Sequence, residues 1–274
     1  MCKTKVFKKA WLLLLACVLV MPSSLALASP ASPSSKSSST TEVSSIYDRV
    51  AGKTIYYPSA LEYDYSQYPV ITWANGTLCP TSLYNNLLTE YARGGYVVVA
   101  DNDVMTKSGE SQINSIDYIF AKNEDYDSIF YNKIDTEKVA ASGQSQGGLS
   151  TVVATKNDPR IKVAVSLAGN STSELCADLT TPTFFIAGTL DLIVPSWSYV
   201  GPSFEAAAGP AAYGSLVGAT HTTFINYPEE YAKYGLAWMN AYLYGDYEQL
   251  ELFTPGNGIF TDPNWQNAAS KNLE

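Results

Sequence analysis

The chain has 274 residues, 46% of them apolar, with 26 acidic against 17 basic side chains and a formal charge of −9. That length and apolar content suit one large α/β domain with a buried core. The acidic balance excludes retention on nucleic acid or on an anionic membrane surface, so neutral or apolar partners are expected.

Met1 to Ala28 has the layout of a secretory signal. Lys3, Lys5, Lys8 and Lys9 open it, Ala10 to Met21 is an apolar run too short to span a bilayer, and Ala26-Leu27-Ala28 offers a small-x-small cleavage site. Export and cleavage after Ala28 are therefore expected, leaving no integral membrane segment, and loss of the four lysines takes the formal charge from −9 to −13. The alternative is a lipoprotein box, Leu14-Leu15-Ala16-Cys17, with Cys17 lipidated; against it, the run stays apolar from Val18 to Met21. Ser29 to Ser45 is nearly all Ser, Thr and Pro and reads as a flexible tether, so the folded domain is expected over residues 46–252. Phe253 to Glu274 carries little apolar pattern and reads as a loosely packed tail.

Between tether and tail the chain alternates. Short apolar runs at Thr54 to Tyr57, Pro69 to Trp73, Tyr96 to Ala100, Lys138 to Ser142, Val163 to Leu167, Thr183 to Ala187 and Ala212 to Val217 read as buried strands. Helical periods fall between them: Leu83 to Tyr91, Ile113 to Phe120 and Tyr231 to Tyr242. Such alternation implies a mainly parallel sheet with helices on both faces and a site at the carboxyl ends of the strands. Asp101-Asn102-Asp103 reads as a solvated strand-end turn.

One stretch carries a chemical signature. Val139 to Thr151 reads VAASGQSQGGLST, a G-x-S-x-G pattern between an apolar strand and a helical period. There a serine on a strained turn holds its hydroxyl above the sheet edge, and the flanking glycines remove Cβ atoms where strand and helix pass closely. A serine nucleophile needs a base and an orienting acid. His221 is the sole histidine, in the loop after the strand ending at Val217. Asp191 follows the strand Thr183 to Ala187, and Ser145, Asp191, His221 stand in the chain order known for this turn. Asp178 is the rival acid, in a loop with no strand just before it. An oxyanion needs two backbone donors; Gln146, after the serine, and Thr77, in the loop Ala74-Asn75-Gly76-Thr77, are the candidates.

Two cysteines, Cys79 and Cys176, remain after signal removal, an even pair in an exported chain. Their loops should open at the same sheet edge, so a Cys79–Cys176 bridge across the cleft rim is expected; two unlinked thiols are the alternative. No Cys or His spacing suits a transition metal, and neither metal nor cofactor is expected.

With these residues in place the chain resembles the α/β-hydrolases, and among them the secreted cutinase-like polyesterases, including poly(ethylene terephthalate) hydrolases, and their dienelactone-hydrolase-like relatives. The resemblance runs from about Tyr68 to Phe253. It is carried by Val70-Ile71-Thr72, Ala92-Arg93-Gly94-Gly95-Tyr96-Val97-Val98, Ile134-Asp135, Thr181-Pro182-Thr183 through Asp191 and Pro195, Gly218-Ala219-Thr220-His221, and Asp246-Tyr247-Glu248-Gln249. It implies an α/β-hydrolase fold and ester hydrolysis through an acyl-enzyme. By that likeness Thr77 stands where the family has an aromatic clamp, Gln146 where it has methionine, Asn170 where it has a substrate-stacking tryptophan, and Ile193 at an apolar cleft position. The family's C-terminal cysteine pair is missing. Ala168 to Thr181 is too short for a helical lid, which implies an open cleft.

The expectation is a secreted, monomeric serine esterase acting on small-molecule or polymeric esters. The same triad would also serve a peptidase or an acyltransferase, and the same fold a catalytically silent binding module.

Overall fold

The protein is described by a computed structural model that covers residues 41–273. The export segment and Cys17 lie outside the described residues. In chain order the elements are β1 (Val43–Asp48), β2 (Lys53–Pro58), β3 (Tyr68–Ala74), α1 (Asn85–Arg93), β4 (Val97–Asp101), α2 (Glu110–Glu124), β5 (Ile134–Gln144) and α3 (Gln146–Asn157). They continue as β6 (Ile161–Leu167), α4 (Ser173–Cys176), β7 (Thr183–Gly188), α5 (Val200–Ala206), β8 (Ala211–Leu216), α6 (Pro228–Tyr244), α7 (Tyr247–Glu251) and β9 (Trp265–Lys271).

Among the described residues nine strands form one sheet, in the order β1-β2-β4-β3-β5-β6-β7-β8-β9. The central strands β4, β3, β5, β6, β7 and β8 run parallel, while β1, β2 and β9 close the edges antiparallel. The buried apolar runs of the sequence are these central strands, as helices on both faces demand.

Side chains alternate across the pleat. Ile71 and Trp73 of β3 and Val98 and Ala100 of β4 face a core shared with α1 and α6, in which Tyr91, Tyr234 and Trp238 are fully or almost fully buried. Val70, Val97 and Val99 face the opposite side, with Ile116 and Ile119 of α2. Further along that side α3 lies over β5 and β6 and α5 over β7, and Val152, Phe185, Val200 and Phe204 share one buried cluster. At about 25 cal/mol per Å² of apolar area removed from water, these two layers are the main source of stability.

Both ends of the domain depart from the sequence expectation. The chain is already in β1 at Val43, inside the stretch read as tether. Phe253 to Glu274 is no loose tail: Phe253 is buried against Phe184 and Trp238, and β9 pairs with β8 from Ala211↔Lys271 to Leu216↔Trp265. The polar sequence of β9 conceals it because a sheet edge is held by backbone bonds and needs only an anchor, here Trp265 against Tyr234. The segment between β6 and β7 holds a single short helix, α4, and no lid.

Register brings the functional loops together. Ala74 pairs with Gly143 and Gln144 with Leu167, so the loops after β3, β5 and β6 leave the sheet side by side. Gly188 pairs with Leu216, which does the same for the loops after β7 and β8.

Candidate active site

The elbow is built from small residues. In β5 Ala140, Ala141, Ser142 and Gly143 are all buried, which lets α3 pack close behind the strand. A Cβ on Gly143 would lie 2.4 Å from the Gly147 carbonyl oxygen, and one on Gly147 would lie 2.0 Å from the Ala74 oxygen. Only glycine fits at either position. Between them Ser145 takes φ 60°, ψ −119°, a conformation that costs about 1–3 kcal/mol in a non-glycine residue. The turn is held by its own backbone: Ser145 N–H donates to the Leu167 carbonyl at 2.8 Å, and Leu149 N–H to the Ser145 carbonyl at 3.1 Å. Ser145 is half-buried, at the N-terminus of α3.

Beneath the elbow a buried amide joins four elements. Gln112 of α2 donates to the carbonyls of Thr72 and Ser142 and to Thr151 Oγ1, and accepts from Ser150 Oγ.

Asp191 and His221 come from the loops after β7 and β8. Leu190 N–H donates to the Ala219 carbonyl at 2.9 Å, and Gly218 N–H to Thr189 Oγ1 at 2.8 Å, so the two loops are stitched together. His221 Nδ1 lies 2.7 Å from Asp191 Oδ2. The other carboxylate oxygen accepts the N–H groups of Ile193 and Val194, both at 2.9 Å. Three fixed groups thus define the acid's rotamer, and its side chain is almost wholly buried. Asp191 also lies close enough to Tyr231 to add to the rise in that phenol's pKa, which burial mainly causes.

The rival acid is elsewhere. Asp178 is exposed and pairs with Lys156 at 2.5 Å. The Lys156 ammonium holds its carboxyl below the usual range.

The histidine's second nitrogen meets a residue that sequence reasoning passed over. Gln144 Nε2 lies 3.2 Å from His221 Nε2 and 3.1 Å from the His221 carbonyl oxygen. The hydrogen bond to that ring nitrogen is from Gln144, the residue before Ser145, and not from Ser145 itself. Gln144 Oε1 accepts from Tyr84 Oη at 3.0 Å, and Tyr84 Oη accepts the Gly76 N–H at 2.9 Å.

The loop after β3 is anchored by Asn75, also unsuspected from the sequence. Its amide donates to Thr81 Oγ1 and to the carbonyls of Asp101 and Asp103, and its Oδ1 accepts the Trp73 indole N–H. Thr77 is half-buried beyond it. Gln146 opens α3, where the backbone N–H has no intrahelical acceptor and the helix dipole favours negative charge. Asp101 is more than a solvated turn: it accepts the ammonium of the buried Lys53 at 2.6 Å.

Asn170 is half-buried after β6, with its Oδ1 buried and unpartnered in this structure, as is Gln146 Oε1. Ile193 is 40% exposed. It belongs to an apolar rim around Asp191 with Leu190, Leu192 and Trp197, all more than half exposed.

The expected bridge is not formed. Cys79 packs against the α1/α6 core, while Cys176 is buried with Val152 and Phe185 on the opposite side of the sheet. The two loops do leave the same sheet edge, but they carry their sulfurs to opposite faces.

This sheet, its strand-end loops and the elbow define an α/β-hydrolase. The model of the PET hydrolase-like family (PETase) matches residues 21–263, and the chain belongs to that family. Cutinase est1 of Thermobifida alba is 28% identical over 224 residues, covering 78% of this chain and 73% of the relative. Cutinase cut1 of Thermobifida fusca is 26% identical over 222 residues, 78% of this chain and 67% of its own. A bis(hydroxyethyl) terephthalate hydrolase of Streptomyces coelicolor is 26% identical over 208 residues, 73% of this chain and 65% of its own. The protein is a carboxylic ester hydrolase of the serine type.

Proposed function

We propose that the protein cleaves esters presented at an apolar surface, polymeric esters included, through an acyl-enzyme on Ser145. In this mechanism Ser145 Oγ attacks the ester carbonyl and its proton passes to His221 Nε2. Asp191 holds the imidazole in the Nδ1–H tautomer and stabilises the imidazolium. The N–H groups of Gln146 and Thr77 carry the oxyanion. The imidazolium then protonates the departing alcohol, and water, activated by the same histidine, releases the acid.

The observation that carries this reading is the 2.7 Å Asp191–His221 pair, with the ring's other nitrogen in contact with the residue next to the strained serine. The surface preference rests on the exposed rim of Leu190, Leu192, Ile193 and Trp197 beside the acid and on the absence of a lid between β6 and β7. The relatives named for cutin and for bis(hydroxyethyl) terephthalate point the same way. Asn170 and Ile193 would line the acyl side of the cleft.

Export belongs to the same proposal. It rests on the layout of Met1 to Ala28 and on the relatives' status as cutinases, whose polymer lies outside cells. No helix among the described residues is long and apolar enough to cross a membrane. The mass of the mature N-terminus separates cleavage after Ala28 from lipidation at Cys17.

The test is a panel of p-nitrophenyl esters graded by acyl length, alongside an amide, an added alcohol and a polyester film. Ester and film hydrolysis with no amide turnover supports the proposal. Amide cleavage, or acyl transfer to the alcohol in preference to water, would replace it with the peptidase or acyltransferase reading.

A further inference from the structure

The contacts of Gln144 go beyond filling space. Its side chain is 3% exposed, and a buried primary amide must satisfy two donors and an acceptor. All three are matched: Oε1 by Tyr84 Oη, Nε2 by the His221 carbonyl and by His221 Nε2. The orientation of the amide follows from its neighbours. A backbone carbonyl can only accept, so Nε2 must face the His221 oxygen. Tyr84 Oη accepts from Gly76, which leaves its own hydrogen to donate to Oε1. His221 Nε2 therefore faces an N–H and presents its lone pair, in agreement with a proton on Nδ1 facing Asp191.

This network spans the site. It begins at the Gly76 N–H in the loop beside the oxyanion donor and ends on the atom that must take the serine proton. Tyr84 also stacks on Phe224 of the histidine loop, with ring centroids 4.9 Å apart. Its closeness explains Gly76: a Cβ there would lie 2.8 Å from Gln144 Oε1 and 2.9 Å from Tyr84 Oη.

We propose that Gln144 is a positioning residue for the base. Its amide links the oxyanion loop to His221 and, at rest, caps the Nε2 lone pair that Ser145 must reach. Proton transfer from Ser145 Oγ to Nε2 then requires that the Gln144 N–H be shared or withdrawn, while its second hydrogen keeps hold of the His221 carbonyl. The inference rests on the hydrolase reading above and assigns a further residue to that same site.

Because His221 is the sole histidine, its ring nitrogens are read directly in the untagged, 15N-labelled protein. The experiment compares wild type, Ser145→Ala and Gln144→Met at a pH where the ring is neutral. The expected result is an Nε2 resonance that Ser145→Ala leaves in place and Gln144→Met moves toward the position of an unbonded lone pair. With Gln144→Met, kcat falls about tenfold to a hundredfold as the ring loses its position, and KM changes little. A resonance that moves with Ser145→Ala and stays with Gln144→Met overturns the proposal, as does a wild-type kcat in Gln144→Met.

Should Gln144→Met not fold, Gln144→Glu keeps the acceptor for Tyr84 and replaces the donor with a carboxylate. A proton is then expected on Nε2 at a pH where the wild-type ring is neutral, and an unchanged resonance overturns the proposal. Failure of the hydrolase reading has its own signature, ester turnover that survives Ser145→Ala, and is thereby distinguished.

Discussion

Asp191 Oδ2 accepts the Nδ1–H of His221 at 2.7 Å while its Oδ1 is held by the backbone of Ile193 and Val194. The carboxylate is thus fixed on three sides before any substrate binds. Asp191→Asn would keep the size and place an amide N–H or a weaker acceptor against the ring, favouring the wrong tautomer. The expected loss in kcat is about 10³–10⁴-fold with KM little altered, measured on a soluble ester near neutral pH. A decrease below tenfold would show that Asp191 does not orient the base.

The elbow glycines make a prediction about stability. With the Ala74 oxygen 2.0 Å from the position of a new Cβ, Gly147→Ala must push β3 or α3 aside. The expected cost is about 3 kcal/mol or more, as for severe overpacking, seen as a lowered melting temperature or as failure to accumulate folded protein. An unchanged melting temperature would mean that the packing of α3 on β3 is looser than described.

A third prediction concerns acid. Asp158 at the end of α3 accepts from the side chain and backbone of Arg160, and those bonds hold its carboxyl below the usual range. A carboxyl with a depressed folded-state pKa stabilises the fold above its unfolded value of about 3.9, and that contribution disappears as pH falls through the folded value. Arg160 is a third exposed, so solvent screens the pair and its contribution is about 1 kcal/mol or less. Asp158→Asn is expected to lower the melting temperature at pH 7 by no more than about 2–4 °C, with the gap to wild type closing in strong acid. A gap that widens in acid would reverse the sign of the account.

The legibility of this protein in its sequence divides along physical lines. The central strands are legible because a strand covered on both faces has nowhere to put polar side chains, as Val97 to Ala100 show. The edge strands β1 and β9 are not, since an edge is specified by backbone pairing that leaves little trace in side-chain pattern. Ser145, Asp191 and His221 stand out because each follows a strand end in a known order. Gln144, Tyr84 and Asn75 do not, because their partners lie up to 77 residues away and only the strand register reveals them. The cysteine expectation failed for a related reason: chain order says which edge a loop leaves but not to which face its side chain turns.

The central claim is that the strained residue at the head of α3 is the nucleophile. Treatment with a fluorophosphonate followed by peptide mass spectrometry tests it most directly. The account predicts one adduct, on Ser145, absent from Ser145→Ala, with ester turnover in that variant reduced by about 10³-fold or more. No adduct on the wild type, an adduct on another residue, or turnover retained by Ser145→Ala would contradict it.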